Sequence, residues 1–71
     1  MLTKGSVALA KKVAATKRLR RDLAYRCDVS EQTVRNWESG ACVPRYRYRP
    51  VIEDVTGVSV ALWERPLEVA A

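Results

Sequence analysis

Three side chains in one short stretch can form paired hydrogen bonds with a flat polar edge, such as that of a nucleobase. They are Gln32, Arg35 and Asn36. A carboxamide presents a donor beside an acceptor, and a guanidinium presents two parallel N–H groups. The same side chains also serve as ordinary solvated surface. Their meaning therefore depends on the element that presents them.

This stretch has the pattern of a short helix over residues 31–39. Ser30 is a favourable N-cap, and Gly40 suits a left-handed position at the C-terminal end. Val34 and Trp37 are three residues apart and predict the buried face. At about 100° per residue, the opposite face holds Gln32, Arg35, Asn36 and Ser39, with Thr33 on its flank.

A second helix precedes this one, and the pair has the spacing of a helix-turn-helix over residues 20–39. The buried face of the earlier helix is predicted to carry Leu19, Leu23, Ala24 and Cys27. Three arginines project outward in this arrangement, namely Arg20, Arg21 and Arg26. Ala24 permits a close helix crossing, Asp28 suits the tight turn, and Val29 supplies the apolar residue after it.

Two further helices are predicted around this motif. Ser6 is the expected N-cap of a first helix over residues 7–17. A fourth helix ends near Thr56, but the sequence leaves its start open. Pro44 is a natural first helical residue, yet Pro50 would then disrupt the helix interior. In the alternative, the residues before Pro50 form an extended approach and the helix starts there.

The remaining residues complete the predicted fold. Residues 59–64 fit either a short helix or a strand, and residues 67–71 are predicted to fray. No internal repeat is present. The patterns therefore predict one compact all-α domain with four to five helices.

The charge of the 71-residue chain is unevenly distributed. Its net charge is +5, but residues 1–49 carry +8 and residues 50–71 carry −3. A basic body favours a polyanionic partner, either nucleic acid or an acidic membrane. The alternative is that the charge serves only solubility. An acidic end segment suggests a second surface with a separate role.

Nothing in the sequence predicts catalysis or a metal site. There is no His, and Cys27 and Cys42 are too far apart for the paired spacing of a zinc site. We therefore expect no cofactor and no enzyme activity. No apolar run approaches the ~20 residues of a membrane helix, and no signal peptide is visible. We expect free thiols in a reducing cytoplasm and no membrane partner.

The stretch VSEQTVRNWESG, residues 29–40, resembles the recognition helix of phage Cro and lambda-repressor-type regulators. Downstream, Val43-Pro44, Val51-Ile52-Glu53 and Thr56-Gly57 resemble prophage Cro-like proteins of the YdaS type. The resemblance covers roughly residues 19–63. It departs at Asp28, where the family usually has Gly. It implies a lambda-repressor-like fold and a transcriptional repressor that binds double-stranded operator DNA as a homodimer.

The resemblance and the helix periodicity together predict the DNA contacts. In the major groove, Gln32 and Asn36 suit adenine, Arg35 suits guanine, and Thr33 suits the thymine methyl group. Asn36 also suits a phosphate. Glu31 either accepts from a cytosine amine or serves as charge at the helix N-terminus. Phosphate contacts are predicted for Arg20, Arg21, Lys17, Arg45, Arg47 and Ser39, with Arg18 and the Tyr46 hydroxyl as further candidates.

A second copy would supply the second recognition helix, one DNA turn (about 34 Å) away. The acidic segment over residues 55–69 is the predicted pairing surface, since it is the least basic part and contains Val58, Val60 and Leu62. Trp63 fits either this interface or a cap on the core. The alternative function is an antitoxin-type interaction module that also binds its own promoter, although the chain has little room for a neutralising segment.

Overall fold

The computed structural model describes residues 3–65 of the chain. These residues form four α-helices and one short 3₁₀ helix. The elements are α1 (Lys4–Ala15), α2 (Leu19–Cys27), α3 (Glu31–Ser39), α4 (Arg49–Thr56) and the 3₁₀ helix (Val60–Glu64). The predicted all-α class is confirmed. The radius of gyration, 11.1 Å, matches the ~11 Å expected for a folded chain of this length.

Helix α1 begins and ends earlier than predicted. Its N-cap is Thr3, whose Oγ1 accepts a hydrogen bond from the backbone N–H of Ser6 at 3.1 Å. Ser6 is itself buried in the first turn, with its hydroxyl 3.3 Å from that of Thr3. The helix stops before Thr16, which adopts an extended conformation. The expected cap at Ser6 and the range 7–17 are therefore wrong.

Helices α2 and α3 and the tight turn between them are as predicted. Oγ of Ser30 accepts from the N–H of Thr33 at 3.2 Å, and Gly40 closes α3 in the left-handed conformation with φ 81°. Asp28 makes the turn with φ 56°. The N–H of Val29 then donates to the C=O of Ala24 at 3.0 Å. Both ends of α3 are thus fixed by residues next to it in the chain.

The start of α4 excludes Pro44 as its first residue and also corrects the predicted extended approach. Pro44 is not helical. It lies buried in the preceding loop, where its C=O accepts a hydrogen bond from Nε of Arg49 at 3.0 Å. Helix α4 begins at Arg49, and Pro50 occupies its first turn, where an N–H has no helical partner. Residues 46–48 form a turn rather than an extended approach. The predicted end near Thr56 is confirmed.

The segment that fitted either helix or strand forms the 3₁₀ helix. Oε2 of Glu53 accepts from the N–H of Val60 at 3.0 Å and so caps its first turn. Trp63 is 2 % exposed and covers Gly5 in α1. A Cβ added to Gly5 would lie 2.5 Å from the indole ring. Trp63 therefore belongs to the core.

The core lies where the helices meet. Helix α1 packs against α3 and the 3₁₀ helix, and α2 packs against α3 and α4. The buried apolar residues are Leu9, Val13, Leu23, Ala24, Cys27, Val34, Trp37, Ile52, Val58 and Trp63. None of the helices within residues 3–65 is long and apolar enough to cross a bilayer. The tail predicted over residues 67–71 lies outside the described residues.

Candidate nucleic-acid interface

The outward face of α3 is polar and carries the side chains predicted to contact bases. Gln32, Arg35 and Ser39 are exposed, whereas Thr33 and Asn36 are half-buried. The opposite face of the helix is anchored in the core. The helix periodicity therefore placed these side chains correctly.

The side-chain amides of Gln32 and Asn36 on this face are hydrogen-bonded to each other. Nε2 of Gln32 donates to Oδ1 of Asn36 at 3.1 Å, one helical turn further along. The backbone C=O of Asn36 accepts from Oγ of Ser39 and from the N–H of Cys42, both at 3.2 Å. The sequence reasoning did not find this pair, although a spacing of four residues was a signal for it.

The remaining side chains of this face differ in the hydrogen bonds and ion pairs that they form. The hydroxyls of Thr33 and Ser30 are 3.0 Å apart. Glu31 is exposed in the first turn of α3, where a negative charge is favourable. Arg35 has no ion-pair or hydrogen-bond partner for its guanidinium among residues 3–65. Its whole donor fork is available to an external acceptor.

Arg20 does not project outward as predicted. Its Nε and Nη2 donate to the two carboxylate oxygens of Glu38 at 2.8 and 3.0 Å. The two side chains are 30 % and 12 % exposed. The hydrogen bond to Glu38 raises the pKa of Arg20 despite its partial burial. The pair links the start of α2 to the end of α3, and the predicted phosphate contact of Arg20 stays a prediction.

Exposed cations lie before α2, in its first turn, and after α3. Lys17 and Arg18 occupy the connection between α1 and α2, and Arg21 follows in the first turn of α2. Arg45 and Arg47 are exposed in the loop after α3. Within the part of the chain that the structure describes, none of these five residues forms an ion pair.

Aromatic rings brace the loop between α3 and α4. The rings of Trp37 and Tyr48 lie 5.6 Å apart, and the guanidinium of Arg47 lies 4.7 Å from the centre of the Tyr48 ring. The guanidinium of Arg49 lies 4.2 Å from the centre of the exposed Tyr46 ring. Arg49 is only 7 % exposed. The sequence reasoning missed this residue, because alternating Arg and Tyr do not indicate which cation turns inward.

An open groove of about 470 Å³ runs beside α3. Thr33 and Trp37 of α3 contribute to its lining, together with Val43, Arg45 and Arg47 of the following loop. Two cations are therefore held close to the flank of the helix that carries the polar face.

The segment predicted to pair two copies is partly used inside the domain. Val58 and Trp63 are each 2 % exposed. Val55, Val60 and Leu62 are half-buried. Residues 66–69 of this segment lie outside the described residues. Among residues 55–65, these half-buried side chains and the exposed Ala61 retain apolar surface that a second copy can cover.

The two cysteines are in different surroundings. Cys27 is buried, Cys42 is exposed, and both thiols are free. Burial raises the pKa of the Cys27 thiol, and the nearby Arg26 lowers it by less. Among residues 3–65, no three His, Cys, Asp or Glu side chains lie close enough together to hold a metal ion.

No protein-family model, curated protein or solved structure matches this chain. The resemblance to Cro-like regulators therefore rests on the residues quoted for it.

Proposed function

We propose that the protein is a sequence-specific regulator of transcription that places α3 in the major groove of double-stranded operator DNA. The observation that carries this proposal is the outward face of α3, where Gln32, Arg35 and Asn36 stand together on a helix anchored in the core. The major groove admits one α-helix, and amide and guanidinium groups match its base edges. A rigid support lowers the entropic cost of forming such contacts.

The distribution of cations supports the same interpretation. Lys17, Arg18 and Arg21 precede the turn, and Arg45 and Arg47 follow α3. Contacts from such cations to phosphates hold a protein in register on the duplex, while side chains in the groove read the sequence. Cations for phosphate contacts and polar side chains for base contacts are thus both available near α3.

We propose further that the regulator is a Cro-like repressor that binds as a homodimer. One short helix contacts only a few base pairs, and two half-sites are usually about 34 Å apart. The longest dimension of the domain is 38 Å, so two copies side by side are compatible with that separation. Pairing through the segment over residues 55–69 would leave the basic surface facing DNA.

Selection of bound sequences from a random duplex pool tests the proposed function. We expect an enriched motif with two half-sites, and a single-stranded pool serves as the control. Affinity for the motif should fall about 10³-fold between 50 and 200 mM salt, as expected for at least six neutralised phosphates. Failure to enrich any motif, or an affinity that does not depend on salt, would contradict the proposal.

A further inference from the structure

Gln32 and Asn36 form a hydrogen-bonded pair of unequal exposure on the outward face of α3. Nε2 of Gln32 donates to Oδ1 of Asn36 at 3.1 Å. Gln32 is exposed, whereas Asn36 is half-buried and its backbone C=O accepts from Ser39 and Cys42. The main chain of Asn36 is therefore tied to the following turn, and its side chain is the less exposed of the two.

The hydrogen bond removes an ambiguity that an isolated surface amide retains. Rotation by 180° exchanges the NH₂ and C=O groups of a primary amide. While Nε2 of Gln32 donates to Asn36, its Oε1 must point away from Asn36. One N–H of Gln32 is occupied, but its second N–H and Oε1 stay available, as do both N–H groups of Asn36. The orientation of Gln32 is thus set before any partner arrives.

We propose that Gln32 and Asn36 act as one reading unit, in which Asn36 orients the Gln32 amide for a bidentate contact with adenine. The proposal rests on the proposed function. In the major groove, adenine presents the N7 acceptor beside the N6 donor, and these match the N–H and Oε1 that remain on Gln32. Asn36 is a positioning residue for that contact. In the competing explanation, the bond only stabilises the helix, and base preference does not depend on Asn36.

NMR of the side-chain amides tests the pair in the free protein. We expect one Gln32 side-chain proton to exchange slowly and to shift downfield, and Asn36→Ala should abolish both effects. Asn36→Asp retains an oxygen acceptor and should preserve them. Backbone spectra confirm that the variants are folded. If the Gln32 signals are the same in the wild type and Asn36→Ala, the pair does not form in solution and the inference is wrong.

Selection from the random duplex pool tests the effect on base preference. Asn36→Ala should reduce the preference for adenine at the Gln32 position by about five-fold or more, the lower end of what one bidentate contact contributes. Asn36→Asp should bind every duplex more weakly, because of its charge, but retain that preference. Arg35→Ala should lose preference at a different position.

The outcomes separate this inference from the proposed function. A wild-type motif whose adenine preference survives Asn36→Ala overturns the inference and leaves the proposed function intact. A wild-type protein that enriches no motif overturns both. Gln32→Ala and Asn36→Ala that alter different base positions also overturn the inference, because one reading unit must act at one position.

Discussion

Two arginines of this domain show how surroundings determine the role of a side chain. Arg35 is exposed on α3, and its guanidinium is unpaired among residues 3–65. Arg20 donates two hydrogen bonds to Glu38. A free guanidinium retains all five N–H groups for an external acceptor, whereas a bidentate pair commits two of them. We therefore expect Arg35 to affect base preference and Arg20 to affect the domain itself.

Arg35→Ala should reduce discrimination between the selected motif and random duplex by ~5- to 150-fold, which corresponds to one bidentate base contact. Competition binding with both duplexes measures it. Arg21→Ala is the matched control, because Arg21 is an exposed arginine outside α3. It should weaken both duplexes equally and reduce the salt slope by about one. An equal loss on both duplexes for Arg35→Ala would identify a phosphate contact instead.

Arg20→Ala should lower the free energy of unfolding by about 1–2 kcal/mol, since it removes charge-assisted hydrogen bonds and leaves the Glu38 carboxylate without them. Urea denaturation of Arg20→Ala, Glu38→Ala and the double variant measures the coupling between the two residues. Arg21→Ala is again the control and should change stability by no more than ~0.5 kcal/mol. Additive losses in the double variant would show that the ion pair contributes nothing.

The difference between these residues explains what the sequence could predict at this scale. Arg35 faces outward because of its position within one helix, and periodicity alone determines that. The environment of Arg20 depends on where α3 places Glu38, which is a contact between helices. The Gln32–Asn36 bond is local, and the spacing of four residues was a signal for it within one helix.

At the scale of elements, the turn between α2 and α3 is built around a residue in an unfavourable conformation. Asp28 has φ 56°, a region that favours glycine, and its carboxylate lies at the negative end of α2. The turn nevertheless forms, because packing of α2 against α3 requires it. The domain therefore holds some backbone strain beside α3, the helix proposed to enter the major groove.

Asp28→Gly should raise the free energy of unfolding by about 0.5–1 kcal/mol, because glycine adopts φ near +60° without a steric penalty. Asp28→Asn removes the charge but keeps the conformation. It should raise the free energy of unfolding by only ~0.3 kcal/mol. Asp28→Ala should be less stable than Asp28→Gly. Urea midpoints of the three variants give the ranking. A loss of stability in Asp28→Gly would show that the aspartate makes a compensating interaction.

Helix boundaries were predictable only where local residues decide them. Ser30 and Gly40 fix both ends of α3, and the bounds predicted from them are confirmed. Ser6 was the expected cap of α1, whereas the structure has Thr3 there, and Pro44 and Pro50 both qualified as the start of α4. A contact distant in sequence accompanies the start of α1, where Trp63 covers Gly5. At the start of α4, Nε of Arg49 donates to the C=O of Pro44, five residues earlier.

At the scale of the whole molecule, the 3₁₀ helix closes the domain over α1. The N–H of Lys4 donates to the C=O of Arg65 at 2.9 Å, and Trp63 lies against Gly5. The sequence left Trp63 open between core and interface, because composition does not distinguish the two. Because Trp63 is buried, the proposed pairing of two copies through residues 55–69 would use other side chains of that segment.

Gly5→Ala should destabilise the domain by about 1–3 kcal/mol, because the added Cβ would overlap the indole and force a rearrangement. Helix propensity alone predicts the opposite sign, a gain of up to ~1 kcal/mol. Thermal denaturation measures the difference. The control is the same substitution in a Trp63→Leu background, where the smaller side chain should reduce the loss. A stabilised Gly5→Ala single variant would contradict the close packing.

The contact between Gly5 and Trp63 also sets the order in which a newly made chain can mature. A ribosome produces α1 first, and Trp63 only after all four helices have been synthesised. The residues between them form a loop that spans almost the whole described chain, so its closure is entropically among the most costly of the contacts within the domain. Until Trp63 emerges, the Gly5 surface of α1 is uncovered, as in other partly synthesised domains. The nascent chain therefore contains all of α3, the helix proposed to contact DNA, before Trp63 can cover Gly5 and complete the domain that supports α3.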